Sequence, residues 1–220
     1  MEDTTIENAL KTFEEYYLKK DYPNAILTLE KNQKEIDPSI WHYDMGTVLA
    51  EMKNWPMARL HFILAERSGM DSKELHQNLE LVENILEIPR LEKPLDPSDY
   101  LIKAGMIASQ GPLLSLSLIF LIIGLWLIKK SPSLKSAMIF LGSVSFPIIL
   151  NFWIDSWPKK IAINSIIIFE GPSALFEARG ELPPGLLLIT NVKGDWEQII
   201  YPSRFSGWIK SQGLKRLELK

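Results

Sequence analysis

No cysteine occurs in the 220 residues, which removes disulfides, thiolate metal sites and cysteine nucleophiles together. Histidine is almost as scarce. His42, His61 and His76 are the full set, and none of their spacings is the i, i+4 pair of a helical metal site. Packing or solvated histidines are therefore expected, and no catalytic, metal or cofactor residue is assigned. The first fifteen residues, MEDTTIENALKTFEE, lack the basic start and apolar run of an export signal, so no cleavable leader is expected. Charge itself is absent from two stretches, Leu113 to Ile128 and Ser136 to Ile154.

Those two uncharged blocks, with the polar KKSPSLK segment between them, lead to an expectation of two transmembrane helices over 111–154. At about 1.5 Å per residue, each block with its flanks has the length to cross a hydrocarbon core of about 30 Å. Trp126, Trp153 and Trp157 fall near the proposed boundaries, where indole rings prefer to sit. Pro147 is expected to kink the second helix, and Gly142, Ser143 and Ser145 to let the pair touch. No ionisable residue lies inside either block, which argues against an ion or proton pathway. Two crossings place both flanking segments on one side of a membrane, so the lipid bilayer is an expected partner.

The net charge of −3 conceals an asymmetry: residues 1–110 hold 12 Lys/Arg against 20 Asp/Glu, and residues 111–220 hold 12 against 7. An acidic N-terminal half repels phosphates, so no nucleic-acid partner is expected. Lysines near the apolar blocks suit lipid headgroups instead.

The N-terminal segment repeats. Asp21-Tyr22-Pro23-Asn24-Ala25 and Asn54-Trp55-Pro56-Met57-Ala58 match at a spacing of 33 residues, with Lys20 against Lys53 and Leu29 against Phe62. Such a period marks a stacked supersecondary unit; Asp or Asn closes one helix and Pro, which needs no donor in the first turn, opens the next. A fifth helix is expected from about Ser72 to Leu86, started by Asp71 and Glu74, its stripe of Leu75, Leu79, Val82 and Leu86 closing the stack. Trp41, Gly46, Ala58, Phe62 and Ala65 in the second copy resemble the tetratricopeptide (TPR) pattern. That resemblance implies a concave groove in which Tyr17, Ile40, Tyr43, Thr47 and Ala50 contact a protein partner. The lysine and asparagine with which such repeats clamp a C-terminal carboxylate are missing, which disfavours a chaperone-tail receptor.

Pro89, Pro94 and Pro97 among charges mark a domain boundary, followed by a short amphipathic helix around Tyr100 to Ile107. After Ile161, short apolar runs alternate with turns: Gly171-Pro172-Ser173, Lys193-Gly194-Asp195 and Gly207-Trp208-Ile209. This pattern predicts an all-β unit of the size that closes into a barrel. Together with Leu182-Pro183-Pro184-Gly185 and Gly194-Asp195-Trp196, it resembles the bacterial SH3-like (SH3b) domain, although Phe169-Glu170 stands where that family usually has an arginine. The resemblance makes Trp196 and Trp208 the ligand candidates of this module. Glu177 and Glu181 are expected to be solvated surface beside a turn.

The expected fold is thus a multidomain membrane protein: an all-α TPR-like repeat with its capping helix at 1–88, a linker and juxtamembrane helix at 89–110, the transmembrane hairpin at 111–154, and a small all-β SH3-like barrel at 158–220. This order resembles the BatE-type aerotolerance proteins of bacteria. The resemblance implies a non-enzymatic scaffold in the cytoplasmic (inner) membrane, working with a MoxR-type ATPase and von Willebrand A-domain membrane proteins in envelope stress. The alternative function is peptidoglycan binding or sensing through the SH3b module. The lysines of the hairpin loop favour both modules outside the cytoplasm.

Overall fold

The computed structural model describes residues 2–107, 110–130 and 133–217, with side chains placed for 6–103, for 156–217 and for part of the stretch between. Two compact units emerge, and they do not follow chain order: Met1–Lys93 joins Lys159–Lys220, and Pro94–Pro158 stands by itself.

In the first unit, α1 (Glu2–Leu18), α2 (Tyr22–Lys31), α3 (Pro38–Glu51), α4 (Trp55–Arg67) and α5 (Lys73–Ile85) follow one another, ending on a single turn, α6 (Ile88–Leu91). The 33-residue repeat reads directly in the backbone. Lys20 and Lys53 both take left-handed φ, 58° and 61°. Asp21 N–H then donates to Tyr16 O, and Asn54 N–H to Leu49 O, each at 2.9 Å. These bonds satisfy carbonyls that a helix end leaves open. Asp21 also caps α2 through its side chain. The cap of α5 is Ser72, whose side chain accepts from Leu75 N–H at 3.1 Å; Asp71 instead bonds His76 at 2.8 Å.

Ala25, Leu29, Trp41, Val48, Ala58, Phe62, Leu75 and Val82 form the helical core. At Gly46, α3 leaves room for α4: a Cβ there would lie 2.7 Å from Phe62 Cδ1. Gly46→Leu should therefore cost about 1–3 kcal/mol, because overpacking outweighs the gain of about 1 kcal/mol in helix propensity from removing a glycine. Denaturant unfolding of the full chain measures it, and an unchanged midpoint would remove this contact from the core.

The C-terminal strands are β1 (Lys159–Ala162), β2 (Ile166–Phe169), β3 (Ala178–Leu182), β4 (Leu187–Lys193), β5 (Trp196–Tyr201), β6 (Trp208–Lys210) and β7 (Leu214–Arg216). They form one seven-stranded sheet in the order β3-β2-β6-β5-β4-β1-β7, with antiparallel neighbours throughout. Glu181, expected beside a turn, pairs with Ile167 within this sheet. The sheet is not a freestanding small barrel. Its core of Ala162, Ile166, Ile168, Leu182, Leu188, Ile199 and Ile209 includes Ile88 from α6, the residue at which a domain boundary was expected. A second cluster joins Leu60 and Leu64 of α4 to Ile161 and Leu217. Burying a leucine contributes about 1.5–3 kcal/mol, so neither layer hides its apolar face alone.

Polar groups cross the same seam. Arg59, 3% exposed on α4, donates to Glu83 at 2.7 Å, to Glu92 at 2.8 Å and to Gly185 O at 2.5 Å. Glu92 Oε1 also accepts Leu187 N–H at 2.8 Å. Within the sheet, Lys160 and Glu197 make a buried ion pair at 2.5 Å, with Thr190 donating to the same carboxylate oxygen. The multidomain arrangement of separate all-α and all-β modules is thereby corrected to one α/β unit.

The second unit holds α7 (Pro97–Ile107), α8 (Gln110–Lys130) and α9 (Leu134–Asp155). Leu95 N–H and Asp96 tie down Asp99 at the start of α7, at 3.2 and 3.0 Å. The contact between α8 and α9 involves Gly124, whose missing side chain leaves room for the Phe140 ring, whereas a Cβ on Gly142 would meet nothing within 4 Å. The expected transmembrane hairpin is corrected here: among the described residues no helix is long and apolar enough to cross a membrane. With the spans go the description as a transmembrane membrane protein, the multi-pass inner-membrane location and the sidedness inferred from the loop lysines. Lys160, one of the lysines near the apolar blocks that were expected to suit lipid headgroups, is buried in the sheet instead.

Candidate functional site

The helical phase of α3 puts Ile40, Tyr43, Thr47 and Ala50 on one face, three to four residues apart. Thr47 Oγ1 donates to Tyr43 O at 2.9 Å, holding its hydroxyl against the helix. The Tyr43 ring lies 6.0 Å from Phe62, and its hydroxyl accepts from Asn78 Nδ2 of α5 at 3.2 Å. Beside it opens a cavity of about 240 Å³, lined among others by Thr47, Ala50, Glu51, Trp55, Asn78 and Leu81. Leu81 is 57% exposed, so the cavity offers apolar surface to an incoming side chain.

Tyr17 of α1 flanks the other side of this face. Its ring lies 6.1 Å from Phe13 and 6.2 Å from Tyr22, and Tyr22 donates its hydroxyl hydrogen to Glu51 at 3.4 Å. Burial first, then the charge of Glu51, raises the Tyr17 phenol above its usual range. Tyr43 is raised in the same way, by burial and then by Asp44 and Glu74. The structure thus brings together Tyr17, Tyr43, Thr47 and Ala50 from the sequence reading. Ile40 shares the α3 face and is exposed but does not line the cavity. Asp44, Glu51, Asn78 and Leu81 escaped the sequence reading. Asp44 and Glu51 were visible in the helical phase of α3, four residues after Ile40 and Thr47; Asn78 and Leu81 were hidden because α5 was taken only as a cap.

Away from this face, His42 of α3 meets His61 of α4. His42 Nδ1 and His61 Nδ1 lie 3.1 Å apart, with the Trp41 ring edge-on to His42 at 4.8 Å. Burial lowers His42; burial, then His42 and Lys215, lowers His61 to about 3. Both are packing residues, whereas His76 is exposed beside Asp71. Among the described residues no three metal-binding side chains come together.

Trp196 and Trp208 lie on neighbouring strands, Trp196 opposite Lys210 and Trp208 opposite Gln198. Phe169 stands edge-on to Trp196 at 5.4 Å. Lys210 Nζ sits 5.8 Å from the centre of the Trp196 ring and Lys193 Nζ 5.4 Å from that of Trp208, so the chain's own ammonium groups occupy these rings.

No protein-family model, curated protein or solved structure matches this chain.

Proposed function

We propose that this chain is a non-enzymatic adaptor that holds a protein partner in the groove formed by α1, α3 and α5. The supporting observation is that Thr47 and Ala50 line a cavity whose lining residues Asn78 and Phe62 also contact Tyr43, since aromatic side chains beside a pocket are the usual anchors of protein binding. On the sequence resemblance, the partner is sought among MoxR-type ATPases and von Willebrand A-domain proteins of an envelope stress system. Peptidoglycan binding through Trp196 and Trp208 is the weaker reading, because a lysine, Lys210 or Lys193, already lies over each ring and competes with a sugar for that face.

Tyr43→Ala in the full chain should weaken partner retention about tenfold or more, the scale of an interface anchor. Its stability should fall by only about 1 kcal/mol for the lost Asn78 bond. Affinity purification and denaturant unfolding of the same variant test this; full retention with a large stability loss would return Tyr43 to the core.

A further inference from the structure

The groove also carries a charge pattern, and its reading rests on the proposed adaptor function. The deeply buried carboxylates Glu92 and Glu197 face cations inside the chain, Arg59 and Lys160. Asp44 is treated differently. It is half-buried on the groove face of α3, between Ile40 and Thr47 in the helical phase, and no hydrogen bond or ion pair to it is formed among the described residues. Burial pushes its carboxyl up to about 6. Withdrawing a carboxylate from water without a partner is unfavourable, so this position costs the free chain stability that a cationic ligand restores.

Two further carboxylates share the face. Glu51 lines the cavity, and Glu74 acts on the Tyr43 hydroxyl together with Asp44. Lys53 at the cavity edge is the opposing charge. The rings of Tyr17, Tyr22 and Tyr43 lie near these acids, and tyrosine rings attract ammonium and guanidinium groups. Below them, Trp55, Leu81 and Val82 leave the apolar cavity open.

We propose that the groove selects a cationic amphipathic segment of its protein partner: a lysine or arginine lies along the tyrosines against Asp44, and a neighbouring bulky apolar side chain enters the cavity. Charge complementarity fixes the class of occupant. An acidic segment would meet Asp44, Glu51 and Glu74, and a wholly apolar one would leave Asp44 desolvated and unpaired.

Fluorescence anisotropy of the full chain with three short labelled peptides, of leucine with lysine, with glutamine and with glutamate, tests the proposal. The leucine–lysine peptide should bind tightest. Asp44→Asn should weaken it about tenfold, and Glu30→Gln, exposed on α2, should leave it unchanged. Asp44→Asn should also keep or raise the melting temperature at neutral pH. The sign follows from linkage: a carboxyl whose folded pKa lies above its unfolded value of about 3.9 is held best when protonated, so its ionised form costs stability above about 6. Equal losses from Asp44→Asn and Glu30→Gln would reduce the effect to general acidity and overturn the proposal, as would peptide binding unaffected by Asp44→Asn. If lysine and glutamine peptides bind equally and Tyr43→Ala weakens both, charge selection fails while the adaptor groove stands. If no peptide binds and partner retention ignores Tyr43, both fail.

Discussion

Replacing Arg59 by alanine is expected to remove about 3–5 kcal/mol of stability, the range for breaking one side of a buried charge network. The guanidinium is nearly inaccessible and donates to Glu83, Glu92 and Gly185 O. Its removal strands Glu92, 8% exposed in its side chain, more than Glu83, which keeps 29% exposure and can turn to water. Glu92 would retain its bond from Leu187 N–H but lose the Arg59 guanidinium. Because Arg59 sits on α4 and Gly185 in the turn between β3 and β4, the loss falls on the seam between layers. Unfolding followed by far-UV circular dichroism and by tryptophan fluorescence should show the transition moving to lower denaturant and the two signals separating. A loss below about 1 kcal/mol, the value of an exposed pair, would mean the seam is held by its other contacts, among them Ile88, Leu60, Leu64 and the Glu92–Leu187 bond.

The second large effect is expected at Lys160. Lys160→Met leaves Glu197 buried without its cation, at a cost of about 3–5 kcal/mol. Burial by itself would raise the Glu197 carboxyl; hydrogen bonds from Lys160, Thr190 and Ser211, with the Lys160 charge, lower it instead. A carboxyl held below its unfolded value contributes stability above that value, about 4.3, and loses the contribution as pH falls through the folded pKa. In Lys160→Met that acid-side contribution should shrink or reverse. Adding Glu197→Leu should recover much of the stability, because replacing both partners by apolar groups is far less costly than stranding one. Thermal melts of the single and double variants at two pH values decide it, and a double variant less stable than Lys160→Met alone would contradict this account.

Both effects concern residues that sequence reading had placed elsewhere or passed over. Arg59 carries no pattern of its own: its partners stand 24, 33 and 126 positions away in the chain. Lys160 looked like a charge at the end of an apolar block because its neighbours are apolar; its partner Glu197 is 37 positions on. Half of the groove face was legible, since Tyr43, Thr47 and Ala50 lie on one helix with known periodicity. The rest required knowing that α1 and α5 flank that helix.

What the sequence determined by itself was local. The turns at Lys20 and Lys53, the capping of α2 by Asp21, the fifth helix and the strand breaks around Gly171 and Gly194 depend on residues within a few positions of one another, and short-range sterics and hydrogen bonds decide them. Apolar composition, equally local, also suggested two membrane spans that no described helix supplies. Only the tertiary structure decided that the helical layer and the C-terminal sheet share Ile88, Arg59 and Glu92 and form one unit although Pro94–Pro158 separates them in sequence. The physical reason is that burial of an ion pair or an apolar face depends on which distant surfaces meet, and no window of neighbouring residues contains both sides of that contact.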